Sequence, residues 1–256
     1  MPWKRGITLK SKSELAAMRE AGRINALALE AARKMVAPGV TTAEIDEAAA
    51  EVIRKHGARP AFLGYPGPYP YPAVTTVSIN EELVHGIPGK RKLVEGDIVS
   101  VDCGTVLDGY VGDSAFSMAV GAANPLGQKL LRVTEEALEV GISQMVAGNR
   151  TGDVSAAIQE QVERNGLFVV RDYTGHGVGR AMHEDPQVPN YGERGRGPRL
   201  RPGMVIALEP MVLVGTDETR VLEDQWTVVS ADGSLTAHFE HTVAVTEEGP
   251  QILTLP

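Results

Sequence analysis

Residues 98–120 read I-V-S-V-D-C-G-T-V-L-D-G-Y-V-G-D-S-A-F-S-M-A-V, and this stretch decides the fold. Two apolar, β-branched runs flank Asp108-Gly109, a dipeptide that favours a tight hairpin turn. A turn centred there sets Gly104 opposite Asp113 and Asp102 opposite Ala115. Side chains alternate faces along a strand, so Asp102 and Asp113 share one face as diagonal neighbours, roughly 7–8 Å apart at Cα. Two carboxylates aimed into one space repel unless a cation stands between them. A metal is the natural candidate. Two solvated aspartates on an exposed sheet face are the alternative at this point.

The chain around the hairpin has 256 residues, 43% of them hydrophobic, with 16 prolines and 28 glycines. That length supports one large domain or two compact halves. A net charge of −8 gives no overall electrostatic case for nucleic acid. Cys103 is the only cysteine, which excludes an intramolecular disulfide and a cysteine-rich metal site. Beside Asp102 on a strand it should point the other way, as a buried thiol. The start Met1-Pro2-Trp3-Lys4-Arg5 resembles no signal peptide, and no apolar run is long enough to span a bilayer. A cytoplasmic protein is the expectation.

Upstream, Ser11 with Glu14 and Thr41 with Glu44 have capping-box spacing. They predict one helix running to about Val36 and a second ending near His56-Gly57. Residues 64–72, G-Y-P-G-P-Y-P-Y-P, read as a rigid aromatic and proline loop, followed by strand-like residues 73–79. Downstream, Asn124-Pro125 opens a helix to about Val146, and Thr151 opens another that stops at Asn165-Gly166. From Leu167 onward the pattern is strand and loop.

The two halves resemble each other. A shift of 109 residues lays Gly39, Thr42, Glu51 and Gly57 on Gly148, Thr151, Glu160 and Gly166. A shift of 107 lays residues 93–102 on 200–209, so that Asp102 falls on Glu209. This describes a single catalytic domain over 1–256 built from related halves, about 10–120 and 121–256. A second hairpin is expected over 227–245, turning at Asp232-Gly233 and setting Glu240 opposite Gln225. Glu240 would then be the counterpart of Asp113. Four converging carboxylates, Asp102, Asp113, Glu209 and Glu240, match two divalent ions in charge.

Six histidines are present. His176 lies in T-G-H-G-V-G (174–179), His183 in M-H-E-D-P (182–186) and His85 in V-H-G-I-P (84–88). Beside a carboxylate cluster each is a plausible ligand or proton handler, and a structural imidazole otherwise. His238 and His241 flank Glu240 and are read as supporting or surface residues. The loop Tyr191–Pro202 carries four arginines among glycines and is read as solvated, with contact to an anionic surface such as RNA as the alternative.

Together H-G-I-P (85–88), D-C-G-T-V-L-D-G-Y-V-G-D (102–113), G-H-G-V-G (175–179), M-H-E-D-P, A-L-E-P (207–210) and F-E-H-T (239–242) resemble the signature of type I methionine aminopeptidases. The likeness covers the chain from about residue 10, in the short, bacterial-like form. It implies an α/β pita-bread fold with pseudo-two-fold symmetry, in which a central antiparallel sheet carries helices on its outer face. It implies two divalent ions, Co, Mn, Fe or Zn, held by Asp102, Asp113, His176, Glu209 and Glu240. The resemblance further implies attack of a metal-bridging water or hydroxide on the carbonyl after the initiator methionine, when the second residue is small. Glu209 would take a proton, His183 would stabilise the oxyanion and His85 would contact the scissile nitrogen. Phe62, Tyr65, Met182 and Trp226 would enclose the methionine side chain, with Tyr71 at the rim and Tyr69 unplaced. Nascent polypeptide N-termini are the implied substrates, with a monomeric state and transient ribosome contact as further expectations. By the same reading the chain's own Met1-Pro2 is a slow substrate. Prolidases and Xaa-Pro aminopeptidases share this fold and ligand set, and a ligand-free binding module is the third possibility.

Overall fold

The computed structural model describes residues 4–256. The reading of Met1-Pro2-Trp3, as part of a leaderless start and as a substrate, lies outside the described residues. Among the described residues there are four helices: α1 (Lys12–Met35), α2 (Thr42–Lys55), α3 (Pro125–Ser143) and α4 (Thr151–Glu163). The first strands are β1 (Arg59–Pro60), β2 (Thr75–Ile79), β3 (Glu82–Val84), β4 (Ile98–Leu107) and β5 (Tyr110–Ala119). Then follow β6 (Phe168–Val169), β7 (Thr174–Gly177), β8 (Glu184–Pro189), β9 (Val205–Leu208) and β10 (Met211–Leu213). The last are β11 (Thr219–Val221), β12 (Val228–Ser230), β13 (Thr236–His238), β14 (Glu240–Thr246) and β15 (Gly249–Ile252).

The caps act as read. Ser11 and Thr41 each accept the backbone N–H of the glutamate three residues on, and Glu14 and Glu44 bond back to the cap N–H. Such caps contribute about 1 kcal/mol each. Asn124 caps α3, whose first residue is Pro125. This helix stops at Ser143, short of the expected Val146, because the Gln144 and Met145 N–H groups turn back to Gly141 and Ile142. These bonds span three residues and tighten the last turn shut.

The main sheet is antiparallel and runs β1-β4-β5-β14-β9-β7-β8, with β2 also on β4 and β15 on β14. Its central hairpin has the register read from the sequence: Asp102 faces Ala115 and Gly104 faces Asp113. The alternation then separates two environments. Val99, Val101, Cys103 and Phe116 enter the core that also holds Ala28, Ala32 and Ile45 of the helices. Gly112 lies so close to α1 that a Cβ would sit 2.6 Å from Gly22. Helices therefore cover one face, and Asp102 and Asp113 are left on the other.

The second hairpin does not form as expected. The turn at Asp232-Gly233 is there, with Gly233 at φ +76°. However, β12 already has β11 on one edge and β3 on the other. A strand has only two edges, so the returning chain must bond elsewhere. Thr236 donates its N–H to Asn80, and β13 pairs with β10. Glu240 then lies opposite Ala115 of β5, not opposite Gln225. Among the described residues no helix is long and apolar enough to cross a membrane.

Candidate metal centre

Three adjacent strands set the acids. Ala115 on β5 is opposite both Asp102 of β4 and Glu240 of β14, so all three residues share a sheet face with Asp113. His176 comes from β7, opposite Ala207 of β9, and Glu209 follows the end of β9. Ligand atoms of Asp113, His176 and Glu240 lie within 4.8 Å of one another. His176 Nε2 is 3.8 Å from Asp113 Oδ2 and 3.5 Å from Glu209 Oε1. Its Nδ1 lies 2.9 Å from the Gly177 carbonyl. A neutral ring must donate to that carbonyl, which turns the Nε2 lone pair towards the acids. Glycine at 177 is required because a Cβ there would fall 2.3 Å from the Asp185 carbonyl.

The acids cannot all be charged without help. Burial pushes the Asp102 carboxyl up to about 8. Burial, then the charges of their neighbours, hold Asp113, Glu209 and Glu240 well above the usual carboxylate range. Asp113 and Glu240 touch through their carboxyl groups, a contact that needs a proton or a cation between them. Asp102 Oδ1, Asp113 Oδ1 and Glu240 Oε1 are buried without a hydrogen-bond partner. An unpaired buried polar atom costs about 1–3 kcal/mol, and more when charged. Three such oxygens beside an imidazole fit divalent cations, whose charge reverses the preference for protonation.

The acids form the floor of a cavity of about 320 Å³. Every site residue read from the sequence lines it: His85, Asp102, Asp113, His176, His183, Glu209 and Glu240, with Phe62, Tyr65, Met182 and Trp226. Burial lowers His85 to about 4. His183 falls to about 3, through burial first and then through His176 and His85. Both rings are neutral at pH 7. Tyr65 Oη is 2.5 Å from His183 Nδ1. Burial and then the charge of Asp113 raise the Tyr65 phenol, which keeps its proton and donates it to Nδ1. The His183 hydrogen is then on Nε2. His85 adopts φ +62°, a left-handed conformation costly for a residue with a Cβ. Hydrogen bonds from the Tyr71 hydroxyl to Gly86 O and from Gly86 N–H to Ser78 Oγ hold that segment.

Loop 64–72 corrects one expectation. Tyr71 is not at the rim; it is 3% exposed and stands edge-on to Trp226, with ring centroids 5.2 Å apart. The loop curls because Gly64 N–H donates to Tyr71 O and Tyr71 N–H donates to Tyr65 O. Tyr69 remains outside the cavity, its hydroxyl on Asp224 O.

His238 is the site residue that the sequence reading left aside as supporting or surface. It is buried, and its unpartnered Nε2 lies 3.8 Å from Glu209 Oε2 and 3.9 Å from Glu240 Oε2. Strand parity was the available signal: residues 238 and 240 are two apart and share a face. His241, on the opposite parity, bonds Thr254 instead.

The chain matches the profile of metallopeptidase family M24 over residues 16–247. It is 51% identical to a methionine aminopeptidase of Clostridium acetobutylicum, over 97% of this chain and 99% of that one. The crystal structure of a methionine aminopeptidase from Thermotoga maritima superposes with a TM-score of 0.95 at 50% identity, covering 98% and 100% of the two chains. The prolidase of Pyrococcus horikoshii shares the fold, with a TM-score of 0.76 at 23% identity, covering 96% of this chain and 63% of that one.

Proposed function

We infer the chemistry from one premise, that this chain belongs to the methionine aminopeptidases of metallopeptidase family M24. It removes the N-terminal methionine from polypeptide chains. Asp102, Asp113, His176, Glu209 and Glu240 would hold a pair of divalent ions, a reading supported by their convergence and by the three orphaned oxygens. When bound, the ions supply Lewis acidity, polarising the scissile carbonyl and making water acidic enough to attack near neutral pH.

The remaining steps fall to side chains. Phe62, Tyr65, Met182 and Trp226 enclose the methionine thioether in apolar and aromatic surface, excluding water from the reacting carbonyl. Glu209 takes a proton from the attacking water on a carboxylate oxygen and passes it to the leaving amine. His183, with its hydrogen on Nε2, donates to the developing oxyanion. His85, neutral in this environment, faces the scissile nitrogen.

The observation that carries this reading is the single cavity in which an acid-lined floor meets an aromatic wall. The deciding experiment supplies the purified protein with Mn, Fe, Co or Zn and offers Met-Gly-Gly beside Ala-Pro and Gly-Pro peptides. Free methionine should be released, with about two metals bound per chain. Cleavage of the Xaa-Pro peptides in place of Met-Gly-Gly would overturn the assignment.

A further inference from the structure

His183 and Met182 lie on the short connection between β7 and β8, a place where a loop would ordinarily be mobile. Here an N-terminal arm, Lys4–Lys10, is bonded along it. Lys4 N–H donates to His183 O at 3.0 Å, Asp185 N–H to Lys4 O at 3.1 Å, and Gly6 N–H to Asp185 Oδ2 at 2.6 Å. Beneath these bonds lies a buried ion pair. Lys10 Nζ is 2.9 Å from Glu184 Oε2, with the two side chains 6% and 1% exposed. Thr8 Oγ1 donates to the same oxygen at 2.6 Å and accepts from Lys10 at 2.7 Å. Glu184 Oε1 accepts the backbone N–H groups of Arg180 and Ala181 at 3.1 and 3.2 Å.

The glycine motif makes room for this pair. A Cβ on Gly179 would lie 2.6 Å from Lys10 Cε and 2.9 Å from Glu184 Oε1. The last glycine of G-H-G-V-G therefore serves the clamp and not the cavity. Lys10 is fixed in turn, because its N–H donates to Gly203 O at 2.7 Å and the next residue, Ser11, caps α1. An ion pair withdrawn from water repays its desolvation only when its geometry is tight. The return on this one is a fixed position for the residue next to Glu184.

We propose that Lys10 and Glu184, with Thr8, are positioning residues for the reaction: they clamp the 180–185 loop so that His183 is held at the oxyanion. This rests on the reading of His183 given above. Asp102, Asp113, Glu209 and Glu240 come from or follow β4, β5, β9 and β14, and His176 is held within β7 by its pairing with β9, so the clamp acts on the rate and not on the loading of the site.

A double-mutant cycle tests it. His183→Ala, Glu184→Gln and the pair are compared for kcat, KM and metal content, with Met-Gly-Gly as substrate. Glu184→Gln should lower kcat about tenfold at unchanged metal content in the native background, and less than twofold on top of His183→Ala. Thr8→Val, which leaves the ion pair intact, should show the same pattern with a loss of two- to threefold, and it serves where Glu184→Gln fails to fold. Equal losses in both backgrounds, or none in either, would overturn the clamp. Full activity in His183→Ala itself would instead remove the role of His183.

Discussion

The Tyr65 hydroxyl and His183 Nδ1 are 2.5 Å apart, with the two rings edge to face at 5.5 Å between centroids. One contact thus fixes both the tilt of the imidazole and the nitrogen that carries its hydrogen. Tyr65→Phe keeps the apolar wall and removes the donor. It should lower kcat about tenfold, while His183→Ala should lower it by roughly 10²–10³, the usual scale for one oxyanion donor. Metal content by mass spectrometry should be unchanged in both. Loss of metal from the His183 variant would make that residue a ligand.

Asp113 stands at the centre of the acid cluster, touching Glu240 and lying near His176. Asp113→Asn should abolish activity and leave at least one metal site unfilled. Chelation of the native enzyme should lower its Tm, because a site built from buried acids is stabilised by what it binds. A fully active Asp113→Asn enzyme with two metals would be incompatible with the proposed centre.

His238 faces Glu209 and Glu240 with a buried, unpartnered nitrogen. Groups that orient ligating carboxylates typically contribute 10–100-fold in metal affinity. His238→Ala should weaken metal binding on about that scale in a calorimetric titration. His238→Gln retains a donor and should recover most of it. Unaltered affinity in the alanine variant would show that the nitrogen supports neither acid.

On the proposed reading, the aromatic wall would set P1 selection. Trp226 is packed so tightly that a Cβ on Gly67 would lie 2.4 Å from its ring. Sulfur contacts with aromatic edges add about 0.3–1.5 kcal/mol. Leucine in place of methionine should therefore cost about two- to tenfold in kcat/KM. Equal rates on Leu-Gly-Gly and Met-Gly-Gly would contradict this pocket.

Glu184 gives a pH signature. Burial alone would raise its carboxyl, but the hydrogen bonds from Thr8 and Lys10 and the charge of Lys10 outweigh that and hold it at about 2, below an ordinary value of 4.5. A folded-state value below the unfolded one stabilises above the unfolded value and loses that stabilisation as pH falls. The Tm gap between the native protein and Glu184→Gln should be full at pH 6 and should close between about 4.5 and about 2. Subtracting the variant cancels the titration of the metal-site acids. A gap constant down to pH 2 would show that the carboxylate charge is not what holds the loop.

Local chemistry made much of this molecule legible from its residues alone. Asp108-Gly109 set the register of β4 on β5, and with it the shared face of Asp102 and Asp113, because a two-residue turn leaves no freedom in pairing. The capping boxes set the starts of α1 and α2 for the same local reason. The motif likeness named many of the residues that line the cavity, though not His238. Tertiary structure decided what depends on competition between distant segments. Glu240 found Ala115 because both edges of β12 were taken, which no turn signal at Asp232-Gly233 could foretell. Tyr71 went inward because its hydroxyl reached the carbonyls of Thr75, at the start of β2, and of Gly86, just after β3. The Lys10–Glu184 clamp joins residues 174 positions apart. Such a pair has no period and no local propensity to betray it; it exists because the folded chain buries both charges where only each other's company makes burial tolerable.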